Sequence, residues 1–433
     1  MTLSVRVGAR SRERQPAREG NGPGYTRTVI AGFVVLAAAN AVGFYGLAVY
    51  LGGLQAGGRF SLGLVSTLTS AFFLTSGLTG LLVGRSLARV SVRALLIAGA
   101  AVTAVAVWLV GHATAPWQLA TAYILLGVGM SMTGPIPLTT ALISVPTASS
   151  ERRNQAMAVM LSGMTAGGAI FVPVLAVAVE RYGLAAATSL AAPLGLAGIV
   201  LPALLLGRAG TGRKGKEGTE SPSATGSASP SPDAEPDEQP SPRARRAFLV
   251  LTMAFTGLLG AQVGFNTQLY TIASELGLRG AAAALGLVAG TGMAARLVGI
   301  VLVRWVPPER FLAGMSVSQC LSPLALLVIP GEAGLYAAAV LLGMAVGNGS
   351  VLSPILTLKI IGRKAFSRYV SRLSFVMTLG IASGPMAAGG MRSATGNYNV
   401  VLAGVAVVSL LAAVLCVVVE RIGRPVVAHA SRP

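Results

Sequence analysis

One arginine sits where a charge is expensive. Arg296 lies inside a long apolar stretch, about seven residues from its polar end, or ~10 Å deep at about 1.5 Å per residue. A cation at that depth costs several kcal/mol unless it meets water or a partner. None of the fourteen acidic residues supplies one: all lie at termini, in polar connections or at the ends of apolar stretches. An isolated guanidinium suits an anionic ligand held by charge-assisted hydrogen bonds. Alternatively, it turns toward the polar boundary and bonds carbonyls at helix ends. Both readings stand on sequence.

Other polar candidates inside apolar stretches are amides and phenols: Asn40 and Tyr45, then Gln262, Asn266, Gln268 and Tyr270, then Asn348. Gln262, Asn266 and Tyr270 recur every four residues, so a helix places them on one face. Such a face lines a polar cavity or bonds neighbouring helices, the latter worth about 0.6 kcal/mol per bond. Gly260 and Gly264 on the same stretch allow either bending or close packing. Arg372 is shallow, near the start of its stretch, and fits the general charge pattern. His112 and His429 are far apart in sequence, and Cys320 and Cys416 lack metal-ligand spacing. No Gly-x-x-x-x-Gly-Lys-Ser/Thr loop occurs, nor any nucleophile–base pair. The expectation is no cofactor, no metal and no enzyme.

The elements that must position these residues are twelve apolar stretches, at roughly 28–53, 61–83, 94–111, 118–145, 156–179, 184–207, 248–273, 281–303, 311–329, 335–358, 370–391 and 399–419. Each is close to the ~20 residues a helix needs to cross a bilayer. With 53% hydrophobic and 11% charged residues, the chain lacks the charge to cover a soluble surface of this size. Many of its 55 glycines fall inside the stretches, where small residues let membrane helices approach.

The net charge of +19 invites a nucleic-acid partner, but the distribution argues otherwise. Arg59, Arg181, Arg279 and Arg392 fall on odd-numbered connections and Arg296 and Arg372 inside stretches. The other 27 of the 33 basic residues lie at the termini and on even-numbered connections. This positive-inside pattern predicts both termini in the cytoplasm. The arginine-rich start followed by apolar residues imitates a secretory signal, but the apolar run continues to Leu54, too far for one. It is read as the first membrane helix.

The expected domains are a disordered cytoplasmic N-terminus (1–27), a six-helix bundle (28–207), a Ser/Pro-rich cytoplasmic linker (208–247), a second six-helix bundle (248–420) and a cytoplasmic tail (421–433). The halves show weak self-similarity. Leu78-x-Gly80 leading to Arg85 answers Leu297-x-Gly299 leading to Arg304, and Leu125-Leu126-Gly127 answers Leu341-Leu342-Gly343. Met164-Thr165-Ala166-Gly167 with Pro173 answers Met377-Thr378-Leu379-Gly380 with Pro385. The offsets are 219, 216 and 213 residues. Three matches in the same order predict two related bundles with a site between them.

On these residues the chain resembles the major facilitator superfamily, and within it the monocarboxylate-transporter and oxalate:formate-antiporter branch. The likeness spans about residues 25–420. It rests on Gly43-Phe44-Tyr45-Gly46 and on Glu151-Arg152-Arg153-Asn154-Gln155-Ala156 ahead of Ser162-Gly163-Met164-Thr165-Ala166-Gly167-Gly168. In the second half it rests on Gly277-Leu278, Met293-Ala294-Ala295-Arg296 with Gly299, Gly384-Pro385 with Gly389, and Gly396-Asn397-Tyr398.

The resemblance implies an all-α integral membrane protein with twelve transmembrane helices in two six-helix bundles. It implies alternating access and favours substrate contact by Arg296; the polar positions of Asn40, Tyr45, Gln262, Asn266, Tyr270 and Asn348 make them the other candidate substrate contacts, and Arg85, Arg89, Arg93, Gly384 and Pro385 are the candidate gating residues. The departures are Ala88 and Ser91 where the family's second-helix loop has Asp and Gly, Gly292 where proton-coupled members carry an acid, and Leu379 where oxalate-type members carry Lys.

The expected function is secondary active transport of a small organic anion such as a monocarboxylate. A coupling proton or counter-substrate moves with it, and the protein works as a monomer in the plasma membrane bilayer. The alternatives are an exporter of drugs or secondary metabolites on the same fold, and a transport-inactive sensor or scaffold.

Overall fold

The computed structural model describes residues 23–87, 89–145, 150–206, 240–302, 305–362 and 365–430. All regular structure among them is helical. The stretches 1–22 and 207–239, Ala88 and Arg304 lie outside the described residues, and with them most of the expected N-terminal segment and linker.

Twelve spans emerge where hydropathy puts them. The first four are Gly24–Ala56, Leu62–Ser86, Val92–His112 and Pro116–Ser144. The fifth and sixth form one continuous run, Ser150–Leu205, folded back at Gly183, whose φ of 80° is the one non-helical backbone value in it. Glycine accepts that conformation without strain. The seventh to twelfth spans are Pro242–Glu275, Ala281–Leu302, Pro308–Val328, Gly331–Ile361, Phe366–Thr395 and Asn399–Ala430.

Several helices outrun their apolar stretches. The seventh begins at Pro242, inside the segment assigned to the linker: the Ser241 side chain accepts from the Ala244 N–H at 3.2 Å, and Pro242 takes the first helical position. A capping serine and a proline at that position set a helix start, whereas hydropathy finds only the part that crosses lipid. For the same reason the first helix begins at Pro23 and the twelfth runs to Ala430, past the expected starts of membrane and tail.

Three spans are interrupted. The first switches to a π-helical turn at Ala41–Tyr45; such turns leave a carbonyl without its regular partner and favour functional sites. Here the Tyr50 hydroxyl donates to the Val42 carbonyl at 2.7 Å. The fourth breaks between Met132 and Pro135, because proline has no N–H to continue the ladder and disfavours helix in the residue before it. The tenth breaks between Val346 and Gly349 with no proline, at Gly347 and Asn348.

These breaks are one feature of a repeat that the fold makes explicit. A Cβ on Gly127 would lie 2.6 Å from the Phe72 carbonyl and 3.1 Å from the Thr75 Cβ; one on Gly343 would lie 2.6 Å from the Val288 carbonyl and 3.0 Å from the Thr291 Cβ. All three pairs of positions are 216 residues apart. The Ser131 hydroxyl donates to the Ser76 carbonyl at 2.9 Å, and at the matching place the Asn348 Nδ2 donates to the Ala295 carbonyl at 2.8 Å. In the first half Gly163 and Gly167 press on the carbonyls of Phe33 and Ala37; in the second Gly380 and Gly384 press on those of Thr256 and Gly260. Gly260 and Gly264 are therefore close-packing positions.

The core shows how the bundles meet. One buried cluster joins both halves, from Tyr45, Tyr50 and Leu54 to Phe265, Tyr270 and Leu285. It fills the end of the molecule away from the termini, hereafter the distal end. At the terminal end there are two separate clusters. One is built from first-half residues such as Leu36, Leu138 and Met160, the other from second-half residues such as Phe255, Leu312 and Tyr369. Along the seventh span every residue from Gln262 to Ala273 is buried, while Leu249 and Met253 nearer the termini are 61% and 65% exposed. The halves are clasped distally and parted at the terminal end.

Candidate functional site

Where the clasp ends, four spans bring their interruptions and small residues together. The Tyr45 ring, at the end of the π-helical turn, lies against the fifth and eighth spans: a Cβ on Gly168 would be 2.6 Å from Tyr45 Cδ2 and 2.8 Å from the Ala289 Cβ. About two turns along the eighth span stands Arg296. Its Nε donates to the Gly347 carbonyl at 2.8 Å and its Nη1 to the Leu161 carbonyl at 3.1 Å.

Gly347 caps the helix Gly331–Val346, so its oxygen is among those a helix end leaves unpartnered and partly negative. Leu161 belongs to the opposite bundle. The lone cation therefore spans the bundle interface, held by two carbonyls and no carboxylate. A guanidinium has five N–H donors. Two are used here, and the rest have no hydrogen-bond partner among the described residues. The Tyr45 phenol lies within electrostatic reach of the same guanidinium.

The structure brings only some of the sequence candidates together. Arg296, Tyr45 and Asn348 converge: Asn348 is wedged against Gly299 and bonds Ala295, the residue before Arg296. Asn40 is buried beside the π-helical turn with its amide donating to its own helix at Leu36, 3.0 Å away. Gln262 turns into the second bundle, where its Nε2 donates to Gln319 at 3.1 Å; Gln319 in turn donates to Leu258 and Ser409. It bonds helices together. Between them, Asn266 is buried with its Oδ1 unpartnered among the described residues, an acceptor that a ligand donor or water would satisfy.

Tyr270 belongs to the distal clasp. Its hydroxyl donates to Glu180 of the first bundle at 2.9 Å, and its ring fills the space over Gly52. Beside it the Gln268 Nε2 donates to Ser66 at 2.9 Å, and Tyr398 donates to the Gln268 Oε1 at 3.1 Å. Ser66, Gln319, Ser409 and the Leu161 and Gly347 carbonyls were not singled out by sequence. A backbone carbonyl carries no side-chain signal, and a serine in an apolar run is too common to flag.

Gly384–Pro385 lies at the same clasp: the N–H of Met386, next after the proline, donates across the interface to the Ser70 hydroxyl at 2.9 Å. Arg85 and Arg89 are exposed and Arg93 half-buried, and none makes an ion pair among the described residues. That agrees with a terminal end that stands open. Among the described residues no group of three His, Cys, Asp or Glu is placed to hold a metal.

The family model of the Major Facilitator Superfamily matches residues 28–358. The chain belongs to the major facilitator superfamily. Among solved structures it is similar to a peptide transporter, POT, with 15% identity and a TM-score of 0.69 over 92% of this chain and 95% of that one. It is also similar to a bacterial homologue of the human lysosomal transporter Spinster in an inward-facing, unoccupied conformation, with 13% identity and a TM-score of 0.60 over 93% and 97%. At these identities the likeness is one of fold. No curated protein matches the chain.

The transporter's bonding is partitioned in a way that suits moving halves. Ion pairs hold helices within the second bundle: Lys359–Glu309 at 2.7 Å, Arg392–Glu275 at 2.9 Å and Arg310–Glu420 at 3.1 Å. Between bundles the described polar contacts are single hydrogen bonds, worth about 0.5–1.5 kcal/mol between neutral groups and about 1.5–3 kcal/mol where one partner is charged. Tyr270→Phe deletes one of them. We expect a roughly tenfold or greater acceleration in modification of a Thr271→Cys probe applied from the distal face, in a background without Cys320 and Cys416. An unchanged rate would show that the Tyr270–Glu180 bond does not hold the clasp.

Proposed function

We propose that the protein is a secondary active transporter that carries a small organic anion by alternating access, with Arg296 as the anchor for the anion. The observation that carries this reading is the bonding of Arg296: a partly buried cation at the bundle interface, satisfied by two carbonyls, with donors to spare. A carboxylate arriving from the open terminal end would replace the neutral Leu161 oxygen by a charged one, turning a charge-assisted hydrogen bond into an ion pair that the guanidinium fork can hold with two N–H groups. Tyr45 and Asn348 stand beside it to orient the ligand.

The charge distribution supports cytoplasmic termini in the plasma membrane, which makes the state described here inward-facing, the conformation determined for the Spinster homologue. The motif resemblance supports the monocarboxylate and oxalate:formate branch. With no carboxylate deep in a described span, and the buried Glu309 at the start of the ninth paired with Lys359, exchange, or a proton carried with the anion, is the coupling that fits, and each monomer holds a whole site.

A thermal-stabilisation screen tests the reading, because a ligand that binds only the folded state raises Tm by mass action. Formate, lactate, pyruvate and oxalate are the probes, each as its sodium salt against sodium chloride. We expect at least one to raise Tm in wild type and not in Arg296→Gln. Stabilisation by amphipathic drugs and by none of these anions would overturn the reading in favour of an exporter.

A further inference from the structure

The first span carries a buried hydroxyl that lies outside the Arg296 constellation. Tyr50 is fully buried, and its Oη donates to the Val42 carbonyl at 2.7 Å, eight residues back along the same span. A phenylalanine would fill the same space, whereas a buried phenol needs a partner. The partner here is specific. In an α-helix the Val42 carbonyl accepts from the Gly46 N–H. The π-helical turn Ala41–Tyr45 bonds each residue to the fifth one along, so that N–H goes to Ala41 and the Val42 oxygen is freed. The Tyr50 hydroxyl takes up the freed oxygen.

Gly46 makes room for this bond. Its backbone is ordinary helix, with φ −59° and ψ −28°, so the position does not call for glycine's conformational freedom. It calls for space: a Cβ there would lie 3.0 Å from both the Oη and the Cζ of Tyr50.

On either side of the turn the first span is fixed by close contacts. The carbonyls of Phe33 and Ala37 lie under Gly163 and Gly167, and Gly52 lies under the Tyr270 ring. Between these anchors the span holds the one extra residue that a π-helical turn accommodates, and each carbonyl in the interval is a place where it can bulge. Tyr50 selects Val42. The choice matters for Tyr45, because moving the extra residue past it would turn its side chain by about 100°, one residue in about 3.6. Its ring would then leave Gly168 and Ala289.

We propose that Tyr50 is a positioning residue for the transport site. Its hydroxyl pins the extra residue of the first span at Val42 and so keeps the Tyr45 ring where the fifth and eighth spans meet. What Tyr45 does there rests on the anion reading of the Arg296 site; where it points does not.

The test is Tyr50→Phe in the purified full chain, with two readouts. The first is fluorine NMR, without ligand, of a fluorotyrosine placed at position 45 alone. We expect its line to move or split in Tyr50→Phe, and an unchanged line would overturn the proposal. The second is anion affinity, by titration with formate, lactate, pyruvate and oxalate. Tyr50→Phe should weaken binding about two- to tenfold, the worth of one hydrogen bond, and have little further effect in a Tyr45→Phe background. A residue that acts through another adds nothing once the other is gone. Equal loss in both backgrounds would show that Tyr50 supports the fold without positioning Tyr45, and would also overturn the proposal. Should none of the anions bind the wild-type chain, the anion reading falls and the fluorine line decides the role of Tyr50 alone. If Tyr50→Phe fails to fold, Gly46→Ala takes its place: it keeps the hydroxyl but presses it away from Val42, and should displace the same line.

Discussion

Arg296→Ala is expected to lower anion uptake by at least about 30-fold in proteoliposomes while leaving the protein folded. Removing one partner of a desolvated charge pair costs roughly 2–5 kcal/mol, and here the lost partner is the one cation in the constellation. Stability should barely change. No carboxylate is orphaned by the substitution, the Leu161 carbonyl remains within its own helix, and only the Gly347 carbonyl loses a cap. A cation at a helix C-terminus is worth about 0.3–1 kcal/mol.

Arg296→Lys sharpens the test. Lysine keeps the charge but lacks the planar fork that reaches two acceptors at once. It cannot bond Gly347 and an anion with the same geometry, so uptake should fall between wild type and alanine. The opposing outcome is just as definite. If Arg296 only ties the tenth span to the eighth and the two bundles together, Arg296→Ala will lower Tm and leave anion binding to the folded fraction unchanged. That result would remove Arg296 from the substrate site.

The largest stability effects are expected at the glycines that touch a neighbouring backbone. Gly167→Val in the first bundle and Gly384→Val in the second place a branched side chain against the carbonyls of Ala37 and Gly260. A side chain can rotate out of the way; a helix carbonyl cannot. The helices must separate, with a cost of about 1–3 kcal/mol or more for overpacking. The two variants should behave alike, because they occupy equivalent seams between the first and fifth spans and between the seventh and eleventh. Loss of the monodisperse peak and a lower Tm in detergent are the readouts. Gly390→Ala is the control: a Cβ there meets nothing within 4 Å, and Tm should not fall. Equal tolerance at Gly167, Gly384 and Gly390 would show that these seams do not hold the bundles together.

Much of the fold was legible because the bilayer imposes it. A backbone in lipid must bond itself, so twenty apolar residues become a helix almost regardless of context, and the repeat followed from short matches such as Leu125-Leu126-Gly127 with Leu341-Leu342-Gly343. Helix ends were less legible. Hydropathy reports where lipid stops, while Ser241 and Pro242 start the seventh helix well before it enters the membrane. The spacing of Gln262, Asn266 and Tyr270 suggested one polar face. Three side chains on one stripe nevertheless met three environments: the second bundle's interior, a buried site where the Asn266 Oδ1 has no partner among the described residues, and the opposing bundle.

The sequence by itself determined the twelve spans, the two related halves, the family and the isolation of Arg296 from any acid. Each of these depends on hydropathy, local motif or count, which a linear chain carries in full. Tertiary structure alone decided what Arg296 does with its charge, since its partners are backbone oxygens of Leu161 and Gly347. It also decided that Tyr270 closes the distal end, and that the bundles part at the terminal end. Carbonyl oxygens are common to every residue, and a contact between halves more than a hundred residues apart depends on packing. No reading of side-chain type along the chain can select them.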